Sequence, residues 1–252
     1  MLAVESLTAG YRDIPVLKNV SFTAGTNEKF FIIGPNGCGK TTLLRALTGL
    51  LPYTGKILIN GSNTSTLTKR ERSRKIALMS QISGIYFPYS VFETVMQGRY
   101  AWLKGGFFKS ETSSDKELVM ALLEATGLLL LKDRSIQELS GGQLQRVFLA
   151  RVFAQEPEII LLDEPTNHLD FRYQLELMNF LDKWVKVPGR IVVGVMHDIN
   201  IAMSFADRLM ILKEGEVLAL DDSSAFNLDL INQTFGADVK AYMLESLKKW
   251  ER

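Results

Sequence analysis

Three short stretches of the chain are apolar at consecutive rather than alternate positions: Lys29–Gly34 (KFFIIG), Glu158–Pro165 (EIILLDEP) and Arg190–Asp198 (RIVVGVMHD). Short apolar runs closed by glycine, proline or acids predict strands buried on both faces. LAVESLTAGY and PVLKNVSFTA near the start alternate instead, as strands with one wet face do, and NGSN at 60–63 predicts a turn after the short strand GKILIN. Elsewhere the period lengthens. GKTTLLRALTGLL places Leu43, Leu44, Leu47 and Leu51 at helical spacing, and KRERSRKIALMSQ is a basic segment leading into a strand. From Ile82 to Glu138 helical patterns dominate (SVFETVMQGRY, KELVMALLEATGL), with the loop LKGGFFKSETSS between them. LQRVFLARVFAQ predicts a helix stopped by Pro157, FRYQLELMNFLDKWV predicts another, and PG after it a turn. From about Asp221 the pattern is weak and helix-prone at its end. Buried strands alternating with helices predict an α/β sheet, interrupted by a helical insert.

Composition narrows this picture. With 252 residues, 46% hydrophobic and 23% charged, the chain has room for one large globular domain or two small ones. A net charge of +1 without a block of one sign disfavours a nucleic-acid partner. Cys38 is the only cysteine, which excludes an intrachain disulfide and a Cys-rich zinc site and suits a reducing compartment. The opening MLAVESLTAGYRD lacks a basic region followed by an apolar core, so no secretory signal is expected. No apolar run approaches the ~20 residues of a membrane helix.

Two Gly-rich turns carry candidate chemistry. GPNGCGKT, Gly34 to Thr41, lies between a predicted strand and a predicted helix, the context of a P-loop. Glycines there let backbone N–H groups face phosphate oxygens, and the helix behind presents its positive end. Lys40 can reach β- and γ-phosphates, and the Thr41 hydroxyl can bind Mg²⁺. Asp163, ending IILLDEP, can hold Mg²⁺ through water, and Glu164 can polarise an attacking water; the plainer alternative is a pair of solvated acids at a strand end. Gln81 can add a metal or water contact, or be a surface polar group. His197 can meet a γ-phosphate or cap a helix. The Tyr11 ring can stack on a base or simply pack. The second turn, LSGGQLQR (Leu139–Arg146), fits a capping box through Ser140 and Gln143, which alone explains the serine. It does not explain Gly141 and Gly142, which close backbone approach to a phosphate would.

In this order, Tyr11, GPNGCGKTT, Gln81, LSGGQLQR, IILLDEP, NHLD and His197 resemble an ATP-binding-cassette (ABC) ATPase over about residues 2–220. The resemblance implies a P-loop NTPase fold with a RecA-like core, an antiparallel β subdomain and a helical insert at about 82–150. That domain would fill 1–220, with a short helical extension over 221–252 and no separate regulatory domain. ATP and Mg²⁺ are the implied cofactors. The implied nucleotide contacts are Tyr11, Gly34, Pro35, Asn36, Gly37, Cys38, Gly39, Lys40, Thr41, Thr42 and Asp163. Thr41, Gln81 and Asp163 would serve the metal, and Glu164, His197 and Gln81 the hydrolysis. Ser140, Gly141, Gly142 and Gln143 would close over the ATP of a second copy, with Asp170 at the interface. Cys38 stands where Ser or Ala is commoner in the family. It is small enough to fit, and beside Lys40 and a helix start it is expected to be a reactive thiolate.

FPYSVFETVMQGRYAW and NHLDFRYQLELM further resemble the importer ATPases of iron–siderophore, haem and cobalamin permeases. The partners so implied are a second copy, two integral-membrane permease subunits and, indirectly, a substrate-binding protein. The implied location is peripheral, on the cytoplasmic face of the membrane. Zinc, manganese or oxyanion importers and exporters remain alternatives, as does a soluble ABC ATPase of ribosomes or DNA. Tyr86, Phe87, Tyr89, Phe92, Tyr100 and Trp102 read as core of the insert or as a groove for a permease helix. Arg99 on the same stretch is expected to be part of that docking surface.

Overall fold

A computed structural model describes residues 1–12, 14–80, 87–103, 111–167, 169–223 and 228–250. Its strands are β1 (Leu2–Tyr11), β2 (Ile14–Ala24), β3 (Glu28–Ile33), β4 (Tyr53–Ile59), β5 (Ser62–Asn63), β6 (Ile76–Met79), β7 (Ile159–Asp163), β8 (Ile191–Val195), β9 (Arg208–Lys213) and β10 (Glu216–Asp222). Its helices are α1 (Lys40–Thr48), α2 (Lys69–Lys75), α3 (Val91–Met96), α4 (Ser113–Ala125), α5 (Gly141–Ala154), α6 (Phe171–Val185), α7 (Ile199–Phe205), α8 (Leu228–Phe235) and α9 (Val239–Trp250). One sheet is antiparallel, in the order β2-β1-β4-β5; the other runs β10-β9-β3-β8-β7-β6. In the second, all neighbours are parallel except β10 with β9.

The apolar runs follow from burial on both faces of the second sheet. In β3, Phe30 and Ile32 point into a core shared with the antiparallel sheet, while Phe31 and Ile33 point into a core shared with α5 and α6. β7 divides in the same way, Ile159 and Leu161 against Ile160 and Leu162. A strand so placed has no position for a polar side chain. Helix α1 lies between the two sheets, touching β1 and β2 on one side and β6 and β7 on the other. That explains why its Leu43, Leu44 and Leu47 are essentially inaccessible. The turn at NGSN forms through Asn60 and Gly61, both at positive φ (50° and 79°), as an Asn-Gly hairpin turn requires.

A third core joins α3, α4 and α5 through Val91, Val95, Val119, Leu123, Val147 and Ala150. Helix α5 faces both ways: Leu149 and Phe153 pack toward the sheet, Val147 and Ala150 toward α3 and α4. After α3 the chain tightens into a 3₁₀ turn over Gln97–Ala101, and here the expectation for Arg99 is corrected. Arg99 is 8% exposed. Its Nε donates to Asp115 Oδ1 at 2.8 Å, and its Nη1 to Glu156 Oε2 at 2.6 Å and to the Ala154 carbonyl at 2.8 Å. Burial pushes the Asp115 carboxyl up, but the Thr112 hydroxyl, the Arg99 guanidinium and the Thr112 amide outweigh it and hold it below the ordinary range. Arg99 therefore ties α4 to the end of α5 and offers no charge to a partner. Removing one member of a buried pair strands the other, so Arg99→Ala should cost about 3 kcal/mol. Urea unfolding checks this, and a midpoint equal to that of the native chain contradicts it.

The aromatic cluster of the insert splits. Phe87, Tyr89 and Tyr100 are exposed, Phe87 and Tyr89 with ring centroids 5.8 Å apart. Phe92 packs against the helical core, and the Trp102 ring donates its N–H to the Gln155 carbonyl. Tyr86 lies outside the described residues.

Candidate functional site

The parallel strands β3, β8 and β7 lie side by side and end at one edge of the sheet, where ligands of open α/β sheets bind. Each strand delivers its own part: residues 34–39 after β3, Met196 and His197 after β8, Asp163 and Glu164 at the end of β7. The P-loop turns into α1 through Gly39, which sits at φ 109° and provides no side-chain cap. The left-handed backbone disfavours any residue with a Cβ at Gly39, and a Cβ there would also push on Leu17 Cδ2 at 2.8 Å. The helix start is thus left without a side-chain acceptor, as an anion site is.

Lys40 is 6% exposed, and its ammonium donates to the carbonyls of Gly34 (2.8 Å) and Pro35 (2.9 Å). Among the described residues it makes no ion pair. A buried cation held by two carbonyls and, at 4.0 Å, the Cys38 sulfur lacks one thing, an anionic partner. Thr41 donates to Asp163 Oδ1 at 3.1 Å, closing the P-loop onto the end of β7. Burial pushes the Asp163 carboxyl up and Glu164 adds to it, while Thr41, Arg45 and Lys40 pull the other way. Thr42 is buried behind the loop, and Asn36 and Gly37 are exposed at its tip.

Glu164 occupies the left-handed region at φ 53°, a strain of about 1 kcal/mol for a residue with a Cβ. The conformation turns its carboxylate back to β8. Oε1 is 2.6 Å from His197 Nε2, Oε2 accepts from Asn167 Nδ2 at 2.7 Å, and the Glu164 amide donates to the Val195 carbonyl at 3.1 Å. His197 thus meets Glu164 itself. Asn167 was not among the residues singled out in the sequence. Its signal was an amide side chain three positions after Glu164, beyond a proline, in a stretch (NHLD) read only for Asp170.

Other expected residues stand apart from this cluster. Tyr11 ends β1 half-exposed, its hydroxyl accepting from Arg45 of α1 at 3.2 Å. Ser140 caps α5: its Oγ accepts from the Gln143 amide at 3.3 Å, and Gln143 Oε1 accepts from the Ser140 amide at 3.0 Å. No hydrogen bond joins these residues to the P-loop among the described residues. Asp170, exposed, caps α6 through the Tyr173 amide at 3.0 Å. Gln81 and His168 lie outside the described residues. The expectation of a reactive thiolate at Cys38 is corrected. The side chain is 5% exposed, and burial raises its pKa, outweighing the Lys40 charge and the loop amides.

Residues 17–167 match the family described as ABC transporter. The chain is 39% identical over 215 residues to the uncharacterized ABC transporter ATP-binding protein YvrA of Bacillus subtilis (strain 168), covering 85% of this chain and 48% of that protein. It therefore spans about half the length of that relative. It is 38% identical over 216 residues to the ferric enterobactin transport ATP-binding protein FepC of Escherichia coli (strain K12), covering 85% of this chain and 79% of that one. Among solved structures, it is similar to the dimeric bacterial ABC transporter cassette MJ0796, with TM-score 0.79 and 30% identity over 90% of this chain and 100% of that one.

Proposed function

The chain belongs to the ABC transporter family, and from that premise we propose that it is the ATP-hydrolysing subunit of an importer for metal chelates. The observation that carries the reading is the convergence at one sheet edge of a buried ammonium (Lys40) with no ion pair among the described residues, a hydroxyl–carboxylate pair (Thr41–Asp163) and a strained carboxylate gripped by His197. ATP phosphates would replace the Gly34 and Pro35 carbonyls as acceptors for Lys40. The Thr41 hydroxyl and the Asp163 carboxylate are hard oxygen donors already in contact, a pair that fits Mg²⁺ better than a softer metal. Mg²⁺ held there would neutralise phosphate charge. Glu164 would accept the proton of the attacking water, and His197 would keep that carboxylate aimed.

Half of the site would come from a second copy. Neither Gly141 nor Gly142 has a positive φ, and a Cβ at Gly141 would meet nothing within 4 Å. At Gly142 it would meet only side-chain carbons at ordinary contact distance, 3.6 Å or more. Nothing among the described residues demands glycine at either position, while the close approach of a partner's bound phosphate would. Asp170 would line the same interface. The likeness to a dimeric cassette supports this arrangement.

The helical insert, at about 82–150 within a 1–220 ATPase domain, would receive two permease subunits. Gln81 would be its hinge and the exposed Phe87, Tyr89 and Tyr100 part of the contact surface. Residues 221–252 would be an extension. No described helix is long and apolar enough to cross a membrane, so the permease would supply the pore, with this subunit peripheral on the cytoplasmic face. The name of FepC favours a ferric chelate as cargo, delivered by a binding protein. The test is co-expression with candidate permeases, followed by ATP-dependent uptake of a ferric chelate into vesicles. Uptake abolished by EDTA inside the vesicle supports the reading. A purified complex that hydrolyses no ATP in the presence of Mg²⁺ overturns it.

A further inference from the structure

Helix α5 carries the Gly-rich turn at its start, and one side chain in its second turn reaches the hydrolytic loop of the same chain. Gln145 Nε2 donates to the Pro165 carbonyl at 2.7 Å. Pro165 follows Glu164 directly, and the loop beyond it closes back on that residue: the Asn167 amide donates to the Glu164 carbonyl (3.2 Å), and the Asn167 side chain to the Glu164 carboxylate (2.7 Å). From the far side, Gln174 of α6 holds the Thr166 and Leu169 carbonyls at 3.2 and 3.3 Å. Thus α6 and α5 both grip this loop, but only α5 also bears Ser140 and the two glycines, about 8 Å away along the helix axis at 1.5 Å per residue.

Glu164 is poised to respond to a small displacement. It is held at φ 53°, a conformation that persists only while its surroundings over-determine it. Its carboxylate is fixed by Asn167 and His197, and Asn167 sits on the segment that Gln145 anchors. A shift of α5 therefore moves the Pro165 carbonyl, the Asn167 amide and the aim of the carboxylate together. This rests on the proposed head-to-tail dimer, in which α5 of one subunit touches the nucleotide of the other site. We propose that Gln145 is a positioning residue. It ties the α5 turn that senses the partner's nucleotide to the Glu164 carboxylate of its own chain, so that each site is set for hydrolysis by occupancy of the other.

The alternative is that Gln145 merely steadies α5. The two roles act on opposite sites, which makes them separable. In heterodimers purified through two different tags, let the second subunit carry Glu164→Gln, so that only the site with the first subunit's P-loop and Glu164 turns over. The α5 turn serving that site belongs to the second subunit. Gln145→Met in the first subunit should lower kcat about tenfold without changing KM for ATP, the scale expected when a buried acceptor loses its donor. The same substitution in the second subunit should leave turnover within about twofold, and Gln145→Lys, which keeps a donor, should restore most of the loss. Gln145→Glu, equal in size but without the donor, is run in parallel, so that the outcome does not hang on one variant assembling. A loss only when the second subunit is altered, equal losses from both, or no loss from either overturns the proposal. A parent heterodimer that hydrolyses no ATP overturns the dimeric ATPase reading itself, before any Gln145 variant is measured.

Discussion

Glu164→Gln should reduce ATP turnover by a factor of about 10³, within the range general-base catalysis supplies, while leaving ATP binding intact. The carboxamide fills the same volume and can still accept from Asn167, so the loop is not expected to collapse. What it cannot do is take a proton from water at neutral pH. Lys40, Thr41 and Asp163 are untouched, and every group that would grip the nucleotide remains. Bound ATP would then persist, and with it the closed pair of subunits. Size-exclusion chromatography with ATP should show a dimer for the variant under conditions where the native chain, which hydrolyses and releases, runs as a monomer. A variant that stays monomeric and keeps native turnover would remove Glu164 from the mechanism. Glu164→Ala is the weaker experiment, because it also frees Asn167 and His197 and disturbs a loop already under backbone strain.

The fold was legible where burial is symmetric. β3, β7 and β8 are apolar without alternation because both faces of the second sheet are covered, and that pattern needs no partner to be recognised. β9 is equally apolar, yet it was not singled out. Its meaning lies in pairing with β3, where Phe30 meets Arg208 across 178 positions of sequence, and sequence pattern carries no register. Helix α2 has no apolar face and no buried residue, so its sequence shows only a basic segment. A capping box between Thr68 and Glu71 holds it, and Arg70 and Arg74 donate to carbonyls at the end of the insert's 3₁₀ turn.

At the site, motif residues with fixed spacing were legible and tertiary partners were not. Lys40 and Thr41 follow from the P-loop pattern, but the grip of Asn167 on Glu164 depends on a positive φ that no residue type announces. Arg99 and Cys38 failed for one shared reason. Each was assigned by its neighbours in sequence, a helix surface in one case and a positive helix end in the other. In both, burial decided the outcome, pairing Arg99 with Asp115 and pushing the Cys38 thiol up.

The head-to-tail arrangement has a consequence that no single-chain site can imitate. Lys40→Ala should abolish turnover, because the buried ammonium that would meet the phosphates is gone, and loss of such a group costs on the order of 10²–10³ in rate. Ser140→Arg should abolish it too, by driving a long cation into the space where a partner's nucleotide meets the α5 turn. The Ser140 variant alone should still bind ATP, since its own P-loop is intact. Mixed together, the two inactive chains should regain activity. In each heterodimer, the P-loop of the Ser140→Arg chain faces the native turn of the Lys40→Ala chain, and that site is whole. The opposite site carries both lesions. With random pairing, half of the dimers are mixed and each has one of two sites intact, which caps recovery at about one quarter of native turnover for independent sites; because the opposite site carries both lesions, coupling through Gln145 should bring recovery about tenfold below that cap. ATPase assays over a titration of one variant into the other measure it, with a maximum expected at equal amounts. If Ser140 served its own chain's nucleotide, every subunit in the mixture would be defective on its own account, and no ratio of the two would restore hydrolysis.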